Sequence, residues 1–212
     1  MAKQELAKIY DFKNTEQRIY DWWESQGYFQ PWNDPRKAGF DPAIKPFVIA
    51  MPPPNITGAL HMGHAITSFT EDLMVRYHRM KGEPTLWVPG TDHASIATQL
   101  PVAKALRDEG SSREAIGREA FLERAWQWRE DYGRQIVEQT RRLGASCDWS
   151  RERFTMDEGL SKAVNEAFVR LHEKGLIYRG PRLINWSPGL KTAVSDLEVE
   201  YSEEMGKLYY FK

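Results

Sequence analysis

Residues 52–64, PPPNITGALHMGH, say more about this chain than the rest of its sequence. The run packs Pro52, Pro53 and Pro54, then Asn55 and Gly58, and ends with His61 and His64 at i, i+3 around Gly63. It follows a predicted strand, Ile44 to Met51 (IKPFVIAM), and opens a predicted helix from Ala65 to His78. A strand, a stiff turn and a helix N-terminus make an anion site, because free backbone N–H groups and the helix dipole point outward there. Two imidazoles three residues apart on the first helical turn share one face, aimed at whatever the turn holds. The pattern points to phosphate chemistry.

Other readings compete. Neither glycine-rich phosphate motif, G-x-G-x-x-G or G-x-x-x-x-G-K-S/T, is present, and a bare H-x-x-H pair is commonly incidental. A metal site is the sharper rival, since His61 and His64 with Asp92 or His93 would supply zinc ligands. Catalytic zinc helices, however, carry His at i, i+4 with an acid between them. Here Met62 and Gly63 intervene, and no carboxylate follows until Glu71. No metal ligand is therefore assigned.

A second run settles the comparison. Thr91-Asp92-His93-Ala94 lies within LWVPGTDHASIATQ, and together with PPPNITGALHMGHA it closely resembles the class I aminoacyl-tRNA synthetases. The HIGH signature of that class corresponds to His61-Met62-Gly63-His64. Isoleucyl and leucyl members typically carry PYAN- or PYPS-like runs before the signature and a G-W-D run at the second site. PPPN at 52–55 and GTDHA at 90–94 resemble the valyl family instead.

The resemblance implies a chemistry. Valine attacks the α-phosphate of ATP to give valyl-adenylate, and the valyl group then passes to tRNA(Val). Such phosphoryl chemistry depends mostly on positioning and on stabilising charge at the phosphate oxygens. His61 and His64 are the expected catalytic residues, and with Gly63 they form the expected ATP contacts; a side chain at 63 would hold the adenosine off the helix. Pro53 and Asn55 are implied at the amino-acid pocket wall, where consecutive prolines make a stiff apolar surface that cannot donate hydrogen bonds. Asp92 is implied as partner of the α-ammonium group; the competing reading is a cap of the following helix. His93 receives no role, and His78 and His172 read as solvent-facing helix residues. Mg²⁺ is expected to accompany ATP, held by the phosphates more than by protein carboxylates.

Composition agrees with this reading. The 212 residues, 41% hydrophobic and 28% charged, describe an ordinary globular protein able to bury one sizeable core. MAKQELAKIYDF has no apolar h-region and no stretch approaches 18 apolar residues, so no membrane contact and a cytoplasmic location are expected. A single cysteine, Cys147, excludes an internal disulfide or a multi-cysteine zinc site. The net charge of −1 exerts no general pull on nucleic acid; the resemblance implies that most tRNA contacts belong to later domains.

The remaining elements follow from periodicity and caps. Asn14 to Gln26 reads as a helix capped by Asn14, with Ile19, Trp22 and Trp23 on one face. Tyr28 to Pro42 reads as loop. Thr85 to Val88 is a second strand, and Pro89-Gly90 after it delivers Asp92. A helix with Ile96, Leu100, Ala103 and Leu106 on one face follows, with Pro101 expected to kink or interrupt it. Ser111 and Glu114 cap a long helix to Arg142, in which Trp126 and Trp128 read as packing more than as a base-stacking platform. Thr155 and Glu158 repeat the capping device ahead of Leu160, Ala163, Val164, Ala167, Phe168 and Leu171, read as core. Ile177 to Trp186 and the final GKLYYFK read as strands.

The β–α–β–α order predicts an α/β protein, a Rossmann-like (class I synthetase, HUP-type) parallel sheet with covering helices. Residues 1–43 read as an N-terminal helical extension and loop. Residues 44–186 read as the first half of the catalytic domain, with a helical segment at 111–175. Residues 187–212 read as the start of an inserted editing domain. Some relatives hold structural zinc with a Cys pair near here; Ser187 and Leu190 stand at those places, so no structural zinc is expected. A hydrophobic pocket rejects an isosteric hydroxyl amino acid only weakly, and the valyl enzymes are the standard illustration of the second, hydrolytic site this demands. No KMSKS-like run occurs in residues 1–212, so this chain alone is expected to charge tRNA little or not at all. The competing functions are a stand-alone synthetase-like nucleotide-binding module without charging activity, and a zinc hydrolase built on His61, His64 and Asp92.

Overall fold

In the computed structural model, which describes residues 8–212, the two apolar runs form β1 (Phe47–Ala50) and β2 (Thr85–Val88). They pair in parallel with Phe47 opposite Thr85, and the crossover that parallel pairing requires is α2 (Met62–Met80). Val75 of α2 and Trp87 of β2 are fully buried with Ala145 and Cys147, and Phe47, Ile49, Met51 and Trp149 pack around them. Burial pushes the Cys147 thiol well above its ordinary range, which leaves it an inert core residue.

The chain then forms β3 (Gly90–Thr91), α3 (Ile96–Asp108), α4 (Arg113–Arg142) and β4 (Arg153–Phe154). β4 returns to pair in parallel with β3, Gly90 opposite Arg153. Only glycine fits at 90, because a Cβ there would lie 2.9 Å from the Arg153 carbonyl oxygen. α3 runs unbroken in assignment through Pro101, and its buried face is Thr98, Val102 and Leu106. The expected face is displaced: Ile96 and Leu100 are exposed, because Phe121 of α4 meets Val102 and Leu106 instead. α4 is capped by Ser112, one residue after the expected Ser111, and breaks at Gly117, where φ is +78°.

The N-terminal segment belongs to the same compact unit. α1 (Phe12–Ser25) is capped by Asp11, whose carboxylate accepts from the Asn14 N–H, so Asn14 is not the cap. Its buried residue is Tyr20, outside the expected Ile19–Trp22–Trp23 face; the hydroxyl donates to the Ala145 carbonyl at 2.6 Å and accepts from Trp149 Nε1 at 2.7 Å. In the following loop, Asp34 is fully buried between Arg36 at 3.0 Å and Arg151 at 2.6 Å, and Asp148 shares both arginines. Burial alone would raise the Asp34 pKa, but the guanidinium hydrogen bonds outweigh it and hold the carboxyl well below the usual range.

The chain divides into two compact units, Met1–Val164 and Asn165–Lys212. α5 (Glu158–Glu173) starts in the first. Its N-terminus is held by Asp157, which accepts from the Leu160 N–H at 2.7 Å, and not by Thr155. The expected core face of α5 is not buried: Val164, Phe168 and Leu171 are 64%, 65% and 42% exposed. Helical periodicity marks a face fit for burial, whereas burial itself needs a covering element. His78, in contrast, is partly buried and stacked on Phe47 at 3.6 Å.

In the second unit a two-residue antiparallel ladder joins β5 (Trp186–Ser187) to β6 (Thr192–Ala193). The expected strands at 177–186 and 206–212 are otherwise irregular, since a strand persists only where a partner ladder receives it. Among the described residues no helix is long and apolar enough to cross a membrane. The architecture is α/β with parallel pairing in the first unit, carried by separate two-stranded ladders.

A buried carboxylate makes stability depend on pH. Glu71 on α2 accepts from Trp87 Nε1 at 2.9 Å, and burial raises its pKa above the ordinary value. The fold therefore favours the protonated acid. That stability is fully present below the unfolded value of about 4.3 and is lost as pH rises through the folded value. Glu71→Gln keeps an acceptor for Trp87 without the charge. Thermal unfolding should give the variant a higher Tm than the parent at pH 8, with the gap closing toward pH 4. A parent at least as stable as the variant at pH 8 would contradict this.

Candidate active site

Two backbone hydrogen bonds join the two motif-bearing segments. The Asp92 N–H donates to the Pro54 carbonyl at 2.8 Å, and the Ile56 N–H donates to the Asp92 carbonyl at 3.0 Å. They form an isolated parallel bridge between Asn55 and Asp92, which sends both side chains off the same face. Pro53 lies against Gly90, two residues before Asp92, where an added Cβ would approach the Pro53 Cβ at 3.8 Å.

The turn between the bridge and α2 is clamped from beneath. Ile56, 2% exposed, plugs into Ile136 and Phe154, with Leu60 packed alongside. Trp128 of α4 donates its indole N–H to the Ile56 carbonyl at 2.8 Å, and Gln139 accepts from the Leu60 N–H at 2.8 Å. Trp128 also stacks on Tyr132 at 4.0 Å, and Trp126 meets Phe154 edge-on while remaining 46% exposed. One helix thus grips both ends of the five-residue turn, Ile56 to Leu60, that follows the stiff proline run at 52–54.

The two signature histidines cap α2 reciprocally. His61 is the N-cap, and its Nδ1 accepts from the Gly63 N–H at 3.1 Å; His64 Nδ1 accepts from the His61 N–H at 3.2 Å. α2 therefore starts at Met62, earlier than expected, because His61 itself ends the extended chain. Burial, and then the neighbouring His61 ring, pushes the His64 pKa below its ordinary value, so the ring is neutral at pH 7. With both Nδ1 atoms accepting, hydrogen-bond logic places a ring hydrogen on Nε2 of each imidazole. The cap presents two N–H donors at a helix N-terminus, which suits an anion. Gly63 is required by the cap itself, since a Cβ there would lie 2.9 Å from His61 Cε1.

Asp92 and His93 meet a residue that the sequence reading placed elsewhere. Thr155, one residue beyond β4, receives the His93 N–H at 2.9 Å, contacts His93 Nδ1 at 2.6 Å and donates to Asp92 Oδ1 at 3.0 Å. Ala94 donates its N–H to the same oxygen at 3.0 Å. Asp92 therefore does not cap α3; that N-terminus begins after Ser95, which makes no side-chain cap bond. Ala94 and Ser95 have φ of +50° and +44°, left-handed conformations that cost non-glycine residues of order 1 kcal/mol each.

The structure thus brings Pro53, Asn55 and Asp92 together, and His61, Gly63 and His64 together, with the clamped turn linking the groups. The metal alternative conflicts with the cap: both Nδ1 atoms accept hydrogen bonds, and an Nε2 free to bind zinc would need the ring hydrogen on that same Nδ1. Among the described residues no three His, Cys, Asp or Glu side chains converge to hold a metal ion. A groove of about 520 Å³ beside His61 runs along α4, lined by Leu60, Met62, Gln139 and Arg142 among others.

A strand–turn–helix with a histidine cap, stitched to a second strand's acidic end, defines a class. Residues 18–208 match the family model of class I tRNA synthetases (I, L, M and V), and the chain belongs to that family. Within it the similarity is to valine–tRNA ligases. The chain is 62% identical over 208 residues to the chloroplastic/mitochondrial valine–tRNA ligase 2 of Arabidopsis thaliana, covering 98% of this chain and 20% of that protein. It is 53% identical over 212 residues to the valine–tRNA ligase of Geobacter sulfurreducens, covering 100% of this chain and 23% of that protein. The fold is similar to LeuRS of Agrobacterium radiobacter K84 in a crystallised ternary complex with tRNA and LeuAMS. That match has a TM-score of 0.69 at 22% identity and covers 89% of this chain and 21% of that one. The chain spans about a fifth of the length of the curated relatives it matches.

The cap makes a mechanical prediction. Gly63→Ala should displace the His61 ring and forfeit its cap of α2, a loss of about 1 kcal/mol that the higher helix propensity of alanine offsets in part. Chemical denaturation checks the magnitude, and His61 ring shifts in NMR spectra check the displacement. Unchanged stability and an unmoved ring would contradict the cap geometry.

Proposed function

We propose that this chain supplies the N-terminal catalytic portion of a valine–tRNA ligase, which activates valine with ATP and transfers it to tRNA(Val). The observation that supports the reading is the Asn55–Asp92 bridge, which joins the two segments carrying the proposed amino-acid residues, with the clamped turn to His61 and His64 directly after it. His61 and His64 donate from Nε2 to the phosphate oxygens as charge builds on them, at an N-terminus whose dipole adds to the effect. Gly63 leaves the first turn open to adenosine. Pro53 gives the valine side chain an apolar wall, Asn55 faces the amino acid, and Asp92 pairs with the α-ammonium group. Mg²⁺ arrives with ATP, which carries the divalent charge on its phosphates.

The domain reading belongs with this proposal. Residues 1–43 are read as an N-terminal helical extension and loop, 44–186 as the first half of a Rossmann-like, HUP-type catalytic domain, and 187–212 as the start of an inserted editing domain. Similarity to valine–tRNA ligases along the whole chain supports the assignment over a free-standing nucleotide-binding module. tRNA is bound mostly by parts outside residues 1–212, and the cytoplasm is the expected setting.

Valine-dependent ATP–pyrophosphate exchange by the native gene product, at its natural length, tests the reading. His61→Ala or His64→Ala should lower exchange about a hundredfold, as removal of one preorganised donor does elsewhere. Exchange better supported by isoleucine than by valine, or unaffected by both substitutions, would overturn it.

A further inference from the structure

We propose that Thr155 is a positioning residue of the amino-acid site: its hydroxyl fixes the Asp92 carboxylate so that one chosen oxygen meets the α-ammonium group of the substrate. The proposal rests on the reading of Asp92 given above and adds a residue 63 positions away, brought there by the β3–β4 ladder.

A hydroxyl has one hydrogen to give and two lone pairs to fill. Thr155 Oγ1 has three polar neighbours: the His93 backbone nitrogen at 2.9 Å, His93 Nδ1 at 2.6 Å and Asp92 Oδ1 at 3.0 Å. The backbone N–H donates and occupies one lone pair. A carboxylate oxygen cannot donate, so the hydroxyl hydrogen goes to Asp92. Nδ1 of His93 must then carry its own hydrogen and donate into the remaining lone pair. Every position on the hydroxyl is used, and each use excludes the alternatives.

The consequence for Asp92 is directional. Thr155 and the Ala94 N–H both bind Oδ1, at 3.0 Å each, and His93 Nδ1 lies nearest to that same oxygen, at 3.4 Å. Among the described residues, no hydrogen bond is made to Oδ2. The side chain is 33% exposed, so Oδ2 is the oxygen turned to a ligand. An ammonium needs an acceptor held in place, since a carboxylate free to rotate loses part of the interaction to ordering. Thr155 is itself fastened, its N–H donating to the Thr91 carbonyl at 3.2 Å, one residue before Asp92. Strand pairing thus sets the register in which hydroxyl and carboxylate face each other.

The test separates an ammonium-directed role from general support. Two probes are used on the native gene product at its natural length: the sulfamoyl analogue of valyl-adenylate, and the same compound with isovalerate in place of valine, which lacks the ammonium. The parent should bind the amino probe at least tenfold more tightly than the desamino probe, and Asp92→Asn should abolish that preference. Thr155→Val and Thr155→Ala should each cut the preference about tenfold, the worth of a hydrogen bond to a charged group. Both should leave affinity for the desamino probe unchanged, and Thr155→Ser should keep the parent's preference within about twofold. A folded Val or Ala variant with the full preference, or a Ser variant that loses it, overturns the role of Thr155. A parent without any preference overturns the reading of Asp92, and a parent that binds neither probe overturns the proposed function itself.

Discussion

The structure depends on a pair of backbone hydrogen bonds, from the Asp92 N–H to the Pro54 carbonyl and from the Ile56 N–H to the Asp92 carbonyl. They involve no side chain, and they set the distance between two segments that lie far apart in sequence. Three consecutive prolines precede them, which removes competing N–H donors and narrows φ at each step. The first N–H groups after the prolines belong to Asn55 and Ile56, and the second of these closes the bridge. A polar side chain carried on such a bridge loses little freedom on binding a ligand.

Most other interactions in the first unit maintain that frame. Ile56 plugs the underside while Trp128 and Gln139 hold the turn on to α4. α4 is in turn tied to α1 through Arg141 and Glu24, and the loop after α4 is tied to α2 through Asp72, Arg79 and Ser146. The Asp34–Arg36–Asp148–Arg151 quartet joins the N-terminal loop to the segment leading into β4. Two buried carboxylates balanced by two partly exposed arginines contribute little net stability, but removing one arginine would leave a buried charge uncompensated. Its effect is to fix the path of the chain just before Thr155.

Much of this was legible in the sequence, and what was not has physical causes. Thr85–Val88 has the bounds expected, because a short β-rich run between Pro84 and Pro89 has one plausible extent. The signature turn and its two histidines were legible as an anion site, although their reciprocal capping was not, since side-chain caps by histidine carry no common pattern. The place of Thr155 is not legible because Thr-x-x-Glu is the usual capping signature, while the strand that precedes it is two residues long and leaves no periodicity. The α3 face was misplaced for a similar reason: its burial is decided by Phe121, which comes later in the chain. The α5 face was read correctly as amphipathic and wrongly as buried, because amphipathicity resides in one helix and burial in two.

The central claim is that the bridge assembles one amino-acid site and that the clamped turn after it carries one phosphate site. The most direct measurement is a crystal structure of the native gene product, at its natural length, with the sulfamoyl analogue of valyl-adenylate. The account predicts the α-ammonium group on Asp92 Oδ2, the isopropyl group against Pro53, and the sulfamoyl oxygens within hydrogen-bonding distance of His61 or His64 Nε2. A ligand seated elsewhere, or one whose ammonium group faces away from Asp92, would contradict it.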